Sequence, residues 1–223
     1  MVNTDQVAPS ATQTGYLPAA NHESPFKEDF TKDPCLVSVC LGGINNTWLT
    51  YPFTPLEAVA EFIRNPIYLG KTTAEIRAAV EAGDKELKDH LKSSLAYMMY
   101  PALAERRRTE LIFRPNSLFC LDIDHLDSLK SAEALKQELF NDEHLDARLA
   151  FISPSGLGVK VLIRRPLNPH LSIVEAQKEG QNCINEYFNS TYGSRYGVMA
   201  DAASIDLVRT CYLCHDAGVL FRG

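Results

Sequence analysis

The sequence predicts an α+β domain in which a mixed or antiparallel sheet is flanked by helices. Three observations carry this. Short apolar runs at 35–41, 118–124, 147–152 and 159–163 have the length of strands and are bounded by turn residues. Two of them, 147–152 and 159–163, enclose Ser153-Pro154-Ser155-Gly156-Leu157-Gly158, which reads as the tight turn of a hairpin. Helical stretches with capping signals stand between and around these runs without a regular βαβ alternation.

Residues 1–33 are polar, rich in Thr, Ala, Pro and Asn, and lack a period, so they read as a loose tail or extended arm. Residues 34–223 then form one domain, the length being adequate for a real core. The first strand, CLVSVCL, closes on Gly42-Gly43. Thr54-Pro55-Leu56-Glu57 predicts a helix start, with Thr as N-cap, Pro at the first position and Glu in the first turn. Leu56, Val59, Ala60, Phe62 and Ile63 mark its apolar side, and Pro66 marks its end. A second helix runs over 73–82 to Gly83, and a third is expected from 84 to about 99. A basic cluster, Arg106-Arg107-Arg108, follows in what reads as a solvated loop, although it could reach phosphates. After 118–124, Asp127 or Ser128 caps a helix to about 140, with Leu129, Ala132, Leu135 and Leu139 on one face. A long helix over roughly 171–188, a segment at 197–203 and a strand from about 206 to 213 complete the chain.

Composition narrows the function classes. The 223 residues carry 45% hydrophobic and 22% charged side chains, as in an ordinary globular protein. The net charge of −6 argues against nucleic-acid binding by bulk charge, although a local basic groove remains compatible with it. No stretch has the length of an apolar membrane span, and no secretory signal is present, so a cytoplasmic protein is expected. The six cysteines then read as reduced thiols. Cys211-Tyr212-Leu213-Cys214-His215 has the spacing of a haem-attachment motif, but an expected strand would divide the thiols between its faces and the exported setting is missing. No second Cys/His pair supports a zinc site.

Three constellations carry chemistry. Asp122 and Asp124 end the apolar run 118–121 and, two apart on a strand, project from the same face. Adjacent like charges are costly unless a positive group lies between them, and a hard cation with oxygen ligands is one solution. A solvated acidic turn is the other reading. The 153–158 turn offers Ser153 and Ser155 hydroxyls and open backbone N–H groups at Gly156 and Gly158, with Lys160 two residues into the returning strand. That set fits an anion such as a triphosphate, or else an ordinary hairpin with a surface lysine. Near the end, Asp201 and Asp206 precede Arg209 and His215. Arg209 in a strand needs a carboxylate or phosphate partner.

In this order the three pieces resemble the archaeo-eukaryotic primase superfamily. The runs FCLDIDHLD, FISPSGLGVKVLI and DLVRTCYLCHD are similar to the VirE N-terminal-like, primase-related domains of Bacteroides and their mobile elements, over about 90–216. The resemblance implies a primase (RRM-like) catalytic core behind a helical N-terminal part. It implies metal ligation by Asp122, Asp124 and Asp201, with Asp206 competing for the third place. It further implies nucleotide contacts from Ser153, Ser155, Gly156, Gly158, Lys160, Arg209 and His215. The activity expected is two-metal nucleotidyl transfer in DNA replication, with Mg²⁺ or Mn²⁺, nucleoside triphosphates and DNA or RNA. Lys160 stands near the position of a histidine in better-known primases, a departure that bears on catalysis.

Two other readings stand beside this. A non-catalytic nucleic-acid or nucleotide-binding module attached to a helicase would keep the same residues, as the N-terminal part of a longer replication protein. A haloacid-dehalogenase-type phosphatase also begins on a strand ending Asp-x-Asp, but there a Gly-Thr or Gly-Val usually follows, where this chain has His125-Leu126.

Overall fold

The structure is a computed structural model that describes residues 35–200 and 206–223. The expected arm at 1–33 lies outside the described residues. Two four-stranded antiparallel sheets and a small hairpin are built around the expected runs. Strands β1 (Leu36–Cys40), β2 (Tyr51–Pro55), β3 (Tyr97–Met99) and β9 (Thr210–Tyr212) form the first sheet in the order β2-β1-β3-β9. Strands β6 (Leu118–Ile123), β7 (Ala147–Ile152), β8 (Val159–Arg164) and β10 (Leu220–Phe221) form the second in the order β10-β7-β8-β6. The hairpin pairs β4 (Ala102–Ala104) with β5 (Ile112–Pro115). Among the described residues, every strand pairing is antiparallel. The α+β expectation is met.

Helices α1 (Leu56–Arg64), α2 (Pro66–Glu81) and α3 (Lys85–Ser94) precede β3. Helix α4 (Leu129–Asn141) links β6 to β7, and α5 (Ile173–Phe188), followed by the short α6 (Ser194–Tyr196), comes after β8. The second sheet is buried on both faces, so its strands are continuous apolar runs rather than alternating ones. Phe119, Leu121 and Ile123 pack with Ala132, Leu135 and Leu139 of α4 and Ile184 and Phe188 of α5. Leu118, Cys120, Phe151 and Leu162 share a core with Val37, Val39, Met98 and Cys211 of the first sheet and with Leu56, Ile63 and Ile76 of α1 and α2. Asp122 and Lys160 belong to this second face, at its open end, because they continue the two-residue period of Cys120 and Leu162. Among the described residues, no helix is long and apolar enough to cross a membrane.

Several local expectations need correction. Thr54-Pro55 does not cap α1: both residues end β2, and Pro55 stands at the N-cap without a side-chain hydrogen bond. The second helix begins at Pro66 rather than at Thr73, because Asn65 caps it through Ile67 N–H at 3.0 Å and Pro66 occupies the first position. The third helix stops at Ser94, since residues 97–99 are taken into the first sheet between β1 and β9. Leu129 is exposed, while Ala132, Leu135 and Leu139 are buried as expected. Ser128, not Asp127, caps α4 through Ser131 N–H. The strand expected from about 206 to 213 is confined to the three residues of β9.

Helix α5 opens with a full capping box: Glu175 N–H donates to Ser172 Oγ, and Ser172 N–H donates to Glu175 Oε2 at 3.1 Å. Ser172→Ala is expected to lower folding stability by about 1 kcal/mol, read as a shifted urea midpoint with an unchanged slope.

Candidate functional site: a carboxylate pair facing a lysine wall

Strand β6 delivers Asp122 at its end and Asp124 one residue beyond it. Immediately afterwards His125 adopts φ 65°, a left-handed conformation that a non-glycine residue rarely takes and that turns the chain away from the sheet. Register pairs Asp122 with Lys160 on β8, and Lys160 Nζ donates to Asp122 Oδ2 at 2.5 Å. Lys160 is buried. Burial alone would push its ammonium towards neutrality, but the Asp122 carboxylate outweighs this and holds the pKa well above its ordinary value. Lys160 is therefore a fixed cation, and it supplies the positive charge that an adjacent carboxylate pair demands. The second oxygen, Asp122 Oδ1, is buried and has no hydrogen-bond partner among the described residues.

The hairpin turn meets this strand end closely. Ser153 N–H donates to Gly158 C=O at 2.8 Å, Gly156 N–H donates to Ser153 C=O at 3.0 Å, and the Ser153 and Ser155 hydroxyls are 3.0 Å apart. Gly156, at φ 79°, is needed for its backbone conformation. Gly158 is needed for space. A Cβ there would lie 2.4 Å from Ile123 C=O, 2.7 Å from Asp124 Oδ1 and 2.8 Å from Ser153 Oγ. The turn and the Asp strand are thus in contact, and Asp124, Ser153, Ser155 and Lys160 line one cavity of about 290 Å³.

The remaining wall was not legible as a site. Lys85, Lys88 and Lys92 of α3, at i, i+3 and i+7, line the same cavity. Their helical spacing was the available signal, in a segment read only as a helix. Arg77 of α2 was also missed. A Cβ on Gly156 would meet Arg77 Nε at 3.4 Å, and that Nε is buried without a partner among the described residues. Arg77 lines a neighbouring cavity of about 450 Å³ together with His215 and Asp216.

The third constellation divides. Asp201 lies outside the described residues. Asp206 is exposed and serves a turn of its own, with Val208 N–H on Oδ1 at 3.0 Å and Arg209 N–H on its carbonyl at 3.0 Å. Among the described residues, no three His, Cys, Asp or Glu gather as a metal-holding group, so Asp206 does not join Asp122 and Asp124. Arg209 stands one residue before β9. Burial pushes the Tyr100 phenol well up, with Arg209 pulling it back and Asp122 adding to the rise. His215 points elsewhere: its backbone N–H donates to Thr73 Oγ1 at 2.9 Å and its ring Nδ1 sits 3.0 Å from Ile63 C=O. Asp216 is a structural pin, accepting from Lys136 Nζ at 2.9 Å and Ile152 N–H at 2.8 Å.

The thiols of the haem-like motif are buried in the core. Cys214 Sγ donates to Ile152 C=O at 3.0 Å, and burial pushes its pKa up to about 12. Hydrogen bonding with Cys211 and then burial push the Cys120 thiol well up. Such thiols are poor nucleophiles and poor haem anchors.

The donor set fits a hard cation: an unpartnered carboxylate oxygen on Asp122 and the carboxylate of Asp124 at the cavity. Mg²⁺ is commonly held by one or two carboxylates with phosphate oxygens completing the shell. No curated protein and no solved structure matches the chain. Residues 90–221, more than half of the chain, match the family model described as BT4734-like, N-terminal domain, and they include the Asp strand, the hairpin turn and Lys160. The chain belongs to the BT4734-like, N-terminal domain family.

Proposed function

We propose that this cavity binds a nucleoside triphosphate with Mg²⁺ or Mn²⁺, and that the domain is a primase/polymerase-like nucleotidyltransferase acting on nucleic acid. One observation carries the reading. The Asp124 carboxylate at one strand end and ammonium groups from α3 and β8 line a single cavity together with the 153–158 turn, and Asp122 is paired with the Lys160 of that lining. A polyphosphate with its cation needs both signs of charge at once.

In this reading Asp122 Oδ1 and Asp124 hold the cation, and Asp201 is its third ligand. A bound Mg²⁺ or Mn²⁺ would neutralise the phosphates and acidify an attacking hydroxyl. Lys160, fixed as a cation by Asp122, sits where it meets charge developing on the phosphates. Lys85 and Lys92 provide further neutralisation from α3, and Ser153 and Ser155 donate hydroxyl hydrogen bonds. Arg209, one residue before β9, is assigned to the phosphates as a further cation.

The pair Asp122–Lys160 also favours a second reading. Because Lys160 already compensates Asp122, the same cavity can bind a nucleotide or nucleic-acid phosphate without catalysis, as a module working beside a helicase.

The test is calorimetric titration of dGTP and ATP with Mn²⁺. Asp124→Asn is the informative variant, since Asp122→Asn would strand the Lys160 charge in the core. Wild type is expected to bind in a metal-dependent manner and Asp124→Asn to lose that dependence. Absence of metal-dependent binding by folded wild type overturns the transferase reading. Metal-independent binding kept in both proteins supports the module.

A further inference from the structure

We propose that a basic and aromatic surface leading from the cavity to Trp48 is a track for a single-stranded polynucleotide. This deepens the nucleotidyl-transfer reading by placing the nucleic acid, but the track uses neither Asp122 nor Asp124. Lys92 begins it: the residue lines the cavity, and its ammonium lies 5.5 Å from the Tyr212 ring centroid. Tyr212 on β9, half-buried, pairs in register with Tyr97 on β3, which is fully buried and lies beneath the surface as a seat for the next cation. The Arg107 guanidinium lies 5.4 Å from the Tyr97 centroid. Arg106 then stacks on Trp48 at 3.4 Å, and Trp48 is 54% exposed.

The fold holds these groups in place. Leu49 N–H donates to Glu105 C=O and Arg107 N–H to Thr47 C=O, both at 2.8 Å, so the Trp48 loop and the arginine segment zip together. The expected solvated loop is therefore an ordered ladder. Tyr97 Oη donates to Asn46 C=O at 2.6 Å, which anchors the same loop. Arg106 Nε is buried with no partner among the described residues. Burial pushes the Tyr212 phenol up, while Arg107 and Lys160 pull it back.

The occupant follows from charge and shape. Cations spaced along the surface match a chain of phosphates, and an exposed indole offers a stacking face that only unpaired bases can use. The protein as a whole is acidic at −6, so this patch is a local reversal of sign. Lys88 and Arg108 are excluded from the argument because Asp89 and Glu110 pair with them at 3.1 and 3.9 Å.

Trp48 is the one tryptophan in the sequence, so its emission reports on this surface alone. The experiment titrates the full chain, in EDTA and without nucleotide, with oligothymidylate and with oligouridylate. Saturable quenching by either strand is expected, weakening with salt, and the stronger ligand names the sugar. Arg107→Gln is expected to reduce affinity about tenfold and to flatten the salt slope by about 0.7. Strand binding without quenching, no strand binding, equal quenching by a duplex, or full affinity in folded Arg107→Gln would each overturn the track. The wild-type quenching result stands even if the variant fails to fold. Quenching retained where Mn²⁺-dependent nucleotide binding is absent removes the transferase reading and keeps the track. The reverse result removes the track alone.

Discussion

Lys160→Met is expected to lose about 3 kcal/mol of folding stability and to lose nucleotide binding. The substitution preserves volume but leaves Asp122 facing the core between the sheets, with Oδ1 already unpartnered and Oδ2 deprived of its donor. Removing one member of a buried pair costs more than the pair contributes, because the stranded charge keeps its desolvation penalty. The figure sits at the low end of that range because the Asp122 side chain is 25% exposed and keeps some water. Adding Asp122→Asn to Lys160→Met should recover a large part of the loss. Denaturant unfolding of the four proteins of this cycle measures the coupling. Additive losses would show that the ion pair does not exist in solution. The pH sense is fixed by the raised pKa of Lys160. Its contribution is full below the ordinary 10.5 and is lost only as pH rises through the higher folded value.

Gly158→Ala is expected to be the most damaging single-methyl change at the site. The added Cβ meets the Ile123 carbonyl, the Asp124 carboxylate and the buried Ser153 hydroxyl at once, at 2.4–2.8 Å. None of them can retreat freely. Ile123 pairs with Val159 at the end of the β6–β8 ladder, and Leu126 N–H holds Leu157 C=O at 2.9 Å. A stability loss of about 1–3 kcal/mol follows from the overpacking. The larger effect falls on function, since β6 and the turn must separate and carry Asp124 away from Ser153. Ser155→Ala, which keeps the backbone spacing, should retain wild-type stability. A Gly158→Ala protein with wild-type melting and wild-type Mn²⁺-nucleotide affinity would show that this contact is looser in solution.

Elements whose signal is local were legible from residues alone. The β7–β8 hairpin has the expected bounds to within a residue, because apolar runs and a Ser/Pro/Gly turn specify it without help from the rest of the chain. The Asp strand follows from its apolar run, with Asp122 inside β6 and Asp124 one residue past its end. The failures share a different cause. Residues 97–99 (YMM) continue a helical segment locally, and only pairing with β1 on one side and β9 on the other makes them a strand. Pro66 is compatible with either end of a helix, and the Asn65 side chain decides for the start.

By itself the sequence determined the fold class, the strand that carries Asp122 and Asp124, and the small-residue turn that meets it. Those depend on interactions within a few residues or on strict periodicity. The tertiary structure alone decided which charges meet. It set Lys160 against Asp122 through strand register, brought the lysine row of α3 to the opposite wall, and turned His215 towards α1 and α2. Long-range electrostatic partnership depends on distance in space, and separations of dozens of residues along the chain carry no record of it.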